Sequence, residues 1–162
     1  MARADAVPGL RRVKAPVSVR ASAIRMLARR EYGRAELTQR LVRRGAPADE
    51  VEGVLNEMQQ LGLLSDARYA HSLVTQMSGR YSRRTIEHTM KSQSVEAEAV
   101  ADVNSELSVI DDAADALALL TRRFPDPPAN DREKARQVRF LQSRGYSLSL
   151  ILRLLRERKN PE

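Results

Sequence analysis

The sequence contains no cysteine and no tryptophan, and aromatic residues make up only 4% of it. Without cysteine the chain forms neither disulfide bonds nor thiolate metal sites, so nothing points to an oxidising compartment. A core must be built from aliphatic side chains and methionine, a composition that favours helices. No apolar run approaches the length of a membrane span, and the N-terminus lacks the apolar segment of a secretory signal. We therefore expect a soluble cytoplasmic protein.

Motifs for catalysis and for cofactor binding are also missing. The two histidines, His71 and His88, lie far apart in sequence and have no companions at the spacing of metal ligands. The chain has no glycine-rich phosphate loop and no nucleophile motif. Asp111 and Asp112 are better explained as acids at a helix N-terminus, where the helix dipole favours negative charge. We predict no enzymatic activity, no metal and no cofactor.

Positive charge is in excess and unevenly distributed. The chain has 28 Lys and Arg against 21 Asp and Glu, which gives a net charge of +7. Residues 92–121 nevertheless contain no Lys or Arg, but seven acids. A basic excess favours a polyanion or an acidic protein surface as partner, although solubility alone accounts for a moderate excess.

Apolar residues recur at helical spacing from Ser18 onward. The clearest example runs from Val51 to Leu61, where they follow the i, i+3, i+4, i+7, i+10 pattern of an amphipathic helix. Residues 33–45 show another, with an apolar stripe at Leu37 and Leu41 and a glycine at each end. Capping residues and glycines separate these segments, so the sequence predicts an all-α fold.

One helical pattern occurs three times. When Gly45, Ser94 and Gly145 are aligned, the periods are 49 and 51, and apolar residues agree at three offsets. The matching sets are Leu41, Met90 and Leu141; Val51, Val100 and Ile151; and Val54, Val103 and Leu154. Such a period indicates three tandem three-helix repeats, each burying its apolar face partly against its neighbour. The predicted parts are a flexible basic arm at Met1–Val17, repeats at residues 18–62, 63–108 and 109–162, and a proline-rich loop near residues 125–130.

The sequence also makes more specific predictions about individual helices. The third helix of the second repeat should run from about Glu96 through Leu107, and Leu117 should point inward in the third repeat. The last helix is apolar nearly all round: either a neighbouring helix covers its extra leucines, or Leu150 and Leu154 contact a partner protein.

Arginine and lysine concentrate on the middle helix of each repeat and just before it. If the repeats stack in register, these cations form a basic strip along one side, suited to phosphates or to an acidic groove. Solvated helix faces with local ion pairs are the alternative for any single arginine. The candidate binding residues are Arg34, Arg40, Arg43, Arg44, Arg80, Arg83, Arg84, Lys91, Arg132, Lys134, Arg136, Arg139 and Arg144.

Three segments together resemble RecX-type regulatory proteins, the modulators of the RecA recombinase. The first is Gly-Arg-Ala-Glu-Leu at residues 33–37, followed by Leu41 and Gly45. The second is the junction at residues 61–70, and the third is Gly-Arg-Tyr-Ser-Arg-Arg-Thr-Ile at residues 79–86. Ser82-Arg83 departs from the family's usual Gly-Pro, and Gln93-Ser94-Val95 from its usual Gly-Val turn.

The resemblance implies an elongated, curved array of three-helix repeats. It also implies binding along the groove of the RecA–DNA filament, with inhibition of ATPase, strand exchange and coprotease activity, and no enzymatic activity of its own. A monomer that also touches single- or double-stranded DNA through phosphates is compatible with this role. Two alternatives stay open: a helix-turn-helix-like module that binds DNA directly without RecA, and a helical-repeat scaffold for another partner.

Overall fold

The computed structural model describes residues 18–159, and this part of the chain is entirely helical, with ten helices and no strand. The all-α prediction is confirmed. The predicted basic arm, Met1–Val17, lies outside the described residues. Among the described helices, none is long and apolar enough to cross a membrane.

The helices follow one another in three groups, which we call the first, second and third units. The first unit contains α1 (Val19–Leu27), α2 (Arg34–Arg43) and α3 (Ala48–Gln60). The second contains α4 (Asp66–Met77), α5 (Arg83–Ser92), α6 (Ala97–Asp102) and α7 (Asn104–Ser108). The third contains α8 (Asp112–Arg123), α9 (Asp131–Gln142) and α10 (Leu148–Lys159). In the first and third units every helix packs against both others, whereas in the second α4 packs against α5 and α6.

Each unit has its own hydrophobic core. Burying an aliphatic side chain contributes about 1.5–3 kcal/mol, so a few such residues hold each unit together. Because the three clusters are separate, each unit buries its apolar residues largely within itself, whereas the repeat in the sequence predicted that each would bury them partly against its neighbour. The central side chains are Leu37, Leu41 and Leu55 in the first unit, Ile86, Met90 and Leu107 in the second, and Leu120, Leu141 and Ile151 in the third.

The turn after each middle helix has the same geometry in all three units. Gly45, Ser94 and Gly145 adopt positive φ values of 91°, 52° and 85°. In each case the next residue's N–H bonds to the carbonyl of the aligned Leu41, Met90 or Leu141, at 3.1–3.3 Å. This is the left-handed helix ending that glycine adopts without strain. The periodicity in the sequence therefore reflects a repeated helix ending, and Ser94 adopts it at a steric cost.

The third helix of the second unit differs from the prediction. It is broken at Val103 into α6 and α7, and Val100 is only half-buried while Ala99 is buried. Asp102, Val103 and Asn104 have low helix propensity, and the break still lets Val103 point inward.

In the third unit the prediction that Leu117 points inward is wrong, whereas for Leu150 and Leu154 the first alternative holds, coverage within the protein. Leu117 is 41% exposed, because α8 turns Ala116, Leu119 and Leu120 toward the core instead. Leu154 is buried in its own unit and Leu150 packs partly against the same core, so neither forms an open partner surface.

Candidate functional site

Contacts between the first and second units centre on Asp66, the first residue of α4. Its carboxylate accepts hydrogen bonds from the Arg34 N–H at 2.8 Å and from the Glu96 N–H at 3.3 Å. Arg34 opens α2, and its preceding residue, Gly33, has no side chain with which to cap that helix. The second unit thus supplies a buried negative charge to the free N–H groups and positive dipole end of α2.

Tyr69, one turn after Asp66, continues this joint. Its ring lies so close to Gly33 that a Cβ there would come within 2.7 Å of Cδ1, which explains the glycine. Its hydroxyl donates to Glu36 at 3.0 Å, and Glu36 also receives Arg30 and Arg40. Burial acts to raise the pKa of Glu36, but these three hydrogen bonds outweigh it and the pKa is lowered. Burial, together with the Glu36 charge, raises the pKa of Tyr69 to about 12.

The joint between the second and third units uses the same device. The Asp112 carboxylate, at the start of α8, accepts from the Arg83 N–H at the start of α5, at 2.8 Å. Asp115, one turn later, accepts from the Gly79 N–H at 3.2 Å. In both joints, therefore, an acid from the following unit caps the middle helix of the preceding one.

A second set of contacts attaches the end of α9 to the start of α5. The buried Ser82 donates through its N–H to the Arg144 carbonyl at 3.0 Å, and through its hydroxyl to the Gly145 carbonyl at 2.9 Å. The Thr85 hydroxyl donates to the Arg144 carbonyl at 3.3 Å. A Cβ on Gly145 would lie 1.8 Å from the Thr85 oxygen, so only glycine fits this joint.

Between α2 and the end of α5 there is a cleft. This cleft of about 350 Å³, here called the joint cleft, is lined by Glu36, Gln39, Arg40, Arg43, Arg44 and Gln93. Arg40 and Arg43 on the second half of α2, and Arg44 just after it, therefore line a space beside the end of α5.

Several of the predicted binding residues are engaged within the protein. The Arg34 side chain donates to Asn56 and Gln59 on α3. Arg40 forms an ion pair with Glu36, one turn earlier on α2, at 2.8 Å. Arg83 forms one with Glu87, one turn later on α5, also at 2.8 Å. These contacts fit the alternative of solvated faces with local pairs for these residues.

Aromatic rings hold two further cations of the third unit. The Arg144 guanidinium lies 3.9 Å from the centre of the Phe140 ring, and Arg136 lies 5.1 Å from that of Phe124. Arg144 also donates to the Phe140 carbonyl. These side chains cover the edge of the third core as well as carrying charge.

The remaining predicted residues are exposed. Within the described residues, the one side-chain hydrogen bond of Arg44 goes to the sulfur of Met26, at 3.5 Å. The others have no side-chain hydrogen bond or ion pair within residues 18–159; they are Arg43, Arg80, Arg84, Lys91, Arg132, Lys134 and Arg139.

The sequence did not reveal the two capping acids. Asp66 stands next to Ser65, which caps α4 itself, and Asp112 follows Asp111, which caps α8. Each acid therefore looks like part of the start of its own helix, and no local signal shows that its carboxylate reaches a different unit. Among the described residues, no group of three His, Asp or Glu could hold a metal ion.

The family models and the curated relatives that match this chain agree on one family. The family models for the first and third three-helix domains of RecX match residues 20–58 and 111–155. The regulatory protein RecX of Ralstonia pickettii is 35% identical over 140 residues, which is 86% of this chain and 87% of the relative. That of Ectopseudomonas mendocina is 40% identical over 145 residues, 87% of this chain and 95% of the relative.

Solved structures show a similar fold. The crystal structure of RecX from Lactobacillus salivarius superposes with a TM-score of 0.58, at 17% identity, over 87% of this chain and 94% of that one. A second crystal structure of a regulatory protein RecX gives a TM-score of 0.55, at 21% identity, over 84% and 72% of the two chains.

Proposed function

The chain belongs to the RecX family of regulatory proteins, and from this premise we propose that it is a non-enzymatic regulator of the RecA–DNA filament. It binds along the filament groove and lowers the ATPase, strand-exchange and coprotease activities of RecA. The observation that carries this proposal is the similarity to regulatory proteins over more than four fifths of the chain.

The exposed cations of the middle helices support this role. Arg43 on α2, Arg84 and Lys91 on α5 and Arg139 on α9 have exposed side chains with no partner within residues 18–159. Their charge is available to acidic groups of a filament, because no internal ion pair has to be broken first.

The alternative function is direct, sequence-selective DNA binding by a helix-turn-helix-like unit. In such readers the N-terminal residues of the second helix contact base edges. Here the Asp66 carboxylate caps the N-terminus of α2, and the Asp112 carboxylate caps that of α5. A negative charge at these two helix ends disfavours their entry into a DNA groove, so the regulator is the better supported proposal.

The test is a titration of RecA's DNA-dependent ATPase, using RecA from the same organism. Wild-type protein should inhibit hydrolysis at or below stoichiometric amounts. With the charge-reversed variant Arg43→Glu/Arg84→Glu, half-maximal inhibition should need at least about tenfold more protein, since neither arginine has a side-chain partner within residues 18–159. Arg40 stays unchanged because it pairs with Glu36 within the joint.

The matched control is Arg122→Glu/Arg156→Glu, which makes the same change in net charge at exposed positions outside the middle helices. It should inhibit like wild type. Absence of inhibition by saturating wild-type protein rejects the proposed function, whereas equal loss in both variants rejects only the role of the middle helices.

A further inference from the structure

A second cleft in the first unit is lined by cations that the basic strip does not include. It has a volume of about 320 Å³, and Ser22, Arg25, Met26, Arg29, Tyr32 and Arg44 line it. We call it the arginine cleft. Arg25 lies on α1 and Arg29 in the turn that follows it, Tyr32 comes three residues later, and Arg44 is the C-cap of α2.

Among the described residues, no carboxylate lines the arginine cleft. Within residues 18–159, neither Arg25, Arg29 nor Arg44 forms an ion pair: Arg25 bonds to the Ala21 carbonyl, and Arg44 reaches only a sulfur. By contrast, Arg20, which lies on α1 like Arg25, pairs with Glu57 at 2.8 Å. Three guanidinium groups that converge without an internal counter-charge form a site for an anion.

The Tyr32 ring indicates which part of a nucleic acid fits. Base recognition by single-strand binders uses open aromatic faces. Tyr32 is buried, and the Arg30 guanidinium lies 3.6 Å from its ring centre, itself held by Glu36. Because the Tyr32 ring is buried, it gives bases no open face to stack on, and the cleft offers guanidinium groups and the Ser22 hydroxyl, the groups that proteins use on phosphates.

The arginine cleft adjoins the joint cleft, because Arg44 lines both. Besides Glu36, which pairs with Arg40, the charged residues that line the two clefts are all cations: Arg25, Arg29, Arg40, Arg43 and Arg44. A ligand with repeated negative charges matches this arrangement better than a single small anion.

We propose that the arginine cleft binds the phosphodiester backbone of DNA, without reading bases, and that Arg25 and Arg29 are its principal contacts. This rests on the proposed function in that the bound DNA is the strand within the RecA filament, but the contact itself needs no RecA.

The probe is a fluorescein-labelled single-stranded oligonucleotide and a duplex of the same sequence, measured by anisotropy over a range of salt concentrations without RecA. Arg25→Gln/Arg29→Gln should weaken binding about tenfold or more at low salt. The slope of log affinity against log salt should become shallower by about 1.4 for the single strand and about 1.8 for the duplex. Scrambling the sequence should leave the affinity unchanged.

The matched control is Arg20→Gln/Arg122→Gln, which removes the same charge from exposed positions and should bind within about twofold of wild type. Circular dichroism checks that both variants remain folded.

Binding and slope equal to wild type in Arg25→Gln/Arg29→Gln overturn the proposal. If that variant binds DNA normally but no longer inhibits RecA, the cleft contacts a protein surface, which also overturns it. The RecA ATPase titration with wild-type protein is scored separately, so failure of the cleft and failure of the regulatory role are distinguishable.

Discussion

Replacing Gly145 by alanine should separate the effect of the joint from that of the turn. Gly45 and Gly145 occupy equivalent turns, with φ values of 91° and 85°. A Cβ in this left-handed region costs about 1–2 kcal/mol at either position. At Gly45 the added methyl meets nothing within 4 Å, whereas at Gly145 it would lie 1.8 Å from the Thr85 oxygen and 2.8 Å from that of Ser82.

The difference between Gly145→Ala and Gly45→Ala is therefore the cost of displacing the third unit from α5. Overpacking costs about 1–3 kcal/mol. Weakening the bonds of Ser82 and Thr85 to the Arg144 and Gly145 carbonyls adds about 0.5–1.5 kcal/mol for each bond lost. We expect Gly145→Ala to be about 2–4 kcal/mol less stable than Gly45→Ala.

The assay is urea unfolding followed by circular dichroism, with amide hydrogen exchange to locate the loosened region at the start of α5. Adding Thr85→Ala removes the nearest oxygen and should recover about 1 kcal/mol or more in a double-mutant cycle. Equal destabilisation by the two glycine substitutions, within about 0.5 kcal/mol, would refute the reasoning.

Two other substitutions test the turn geometry and the first joint. Ser94→Gly should raise the free energy of unfolding by about 0.5–1 kcal/mol, because Ser94 holds a φ of 52° that glycine adopts freely. The control Ser92→Gly, within α5, should lower the free energy of unfolding. A loss of stability in Ser94→Gly would contradict this explanation of the turn. Tyr69, whose pKa is raised to about 12, keeps its proton in the folded state and loses it near pH 10 when unfolded. Its contribution is thus complete below pH 10 and lost between pH 10 and 12, so the stability advantage of wild type over Tyr69→Phe should shrink by about 1–3 kcal/mol across that interval. An advantage independent of pH there would contradict the raised pKa that burial and the Glu36 charge give to Tyr69.

The helices and their repetition could be predicted because they depend on local physics. Apolar residues at helical spacing must face a core, and a capping serine or a glycine marks where a helix begins or ends. Even Ser94, a departure from glycine, was placed correctly by the alignment of the buried Met90 with Leu41 and Leu141. The predicted buried face of a helix was wrong where two neighbouring positions could face the core at similar energy, as with Leu117 beside Ala116.

The candidate binding residues could be predicted only as a set of charges. In the sequence alone, Arg40 looks the same as Arg43. In the structure, Arg40 pairs with Glu36, whereas Arg43 has no partner among the described residues. It also missed Arg25 and Arg29, since their cleft exists only where α1 meets the end of α2.

By itself, then, the sequence determined that this chain folds into repeated three-helix units with a basic character, because helix periodicity, caps and net charge are properties of neighbouring residues. The tertiary structure alone decided how the units are joined and which cations are free. Asp66 and Asp112 cap helices in other units, and Gly145 fits against Thr85 about 60 residues away. Contacts of this kind depend on the packing of whole units, so no local pattern of residues encodes them.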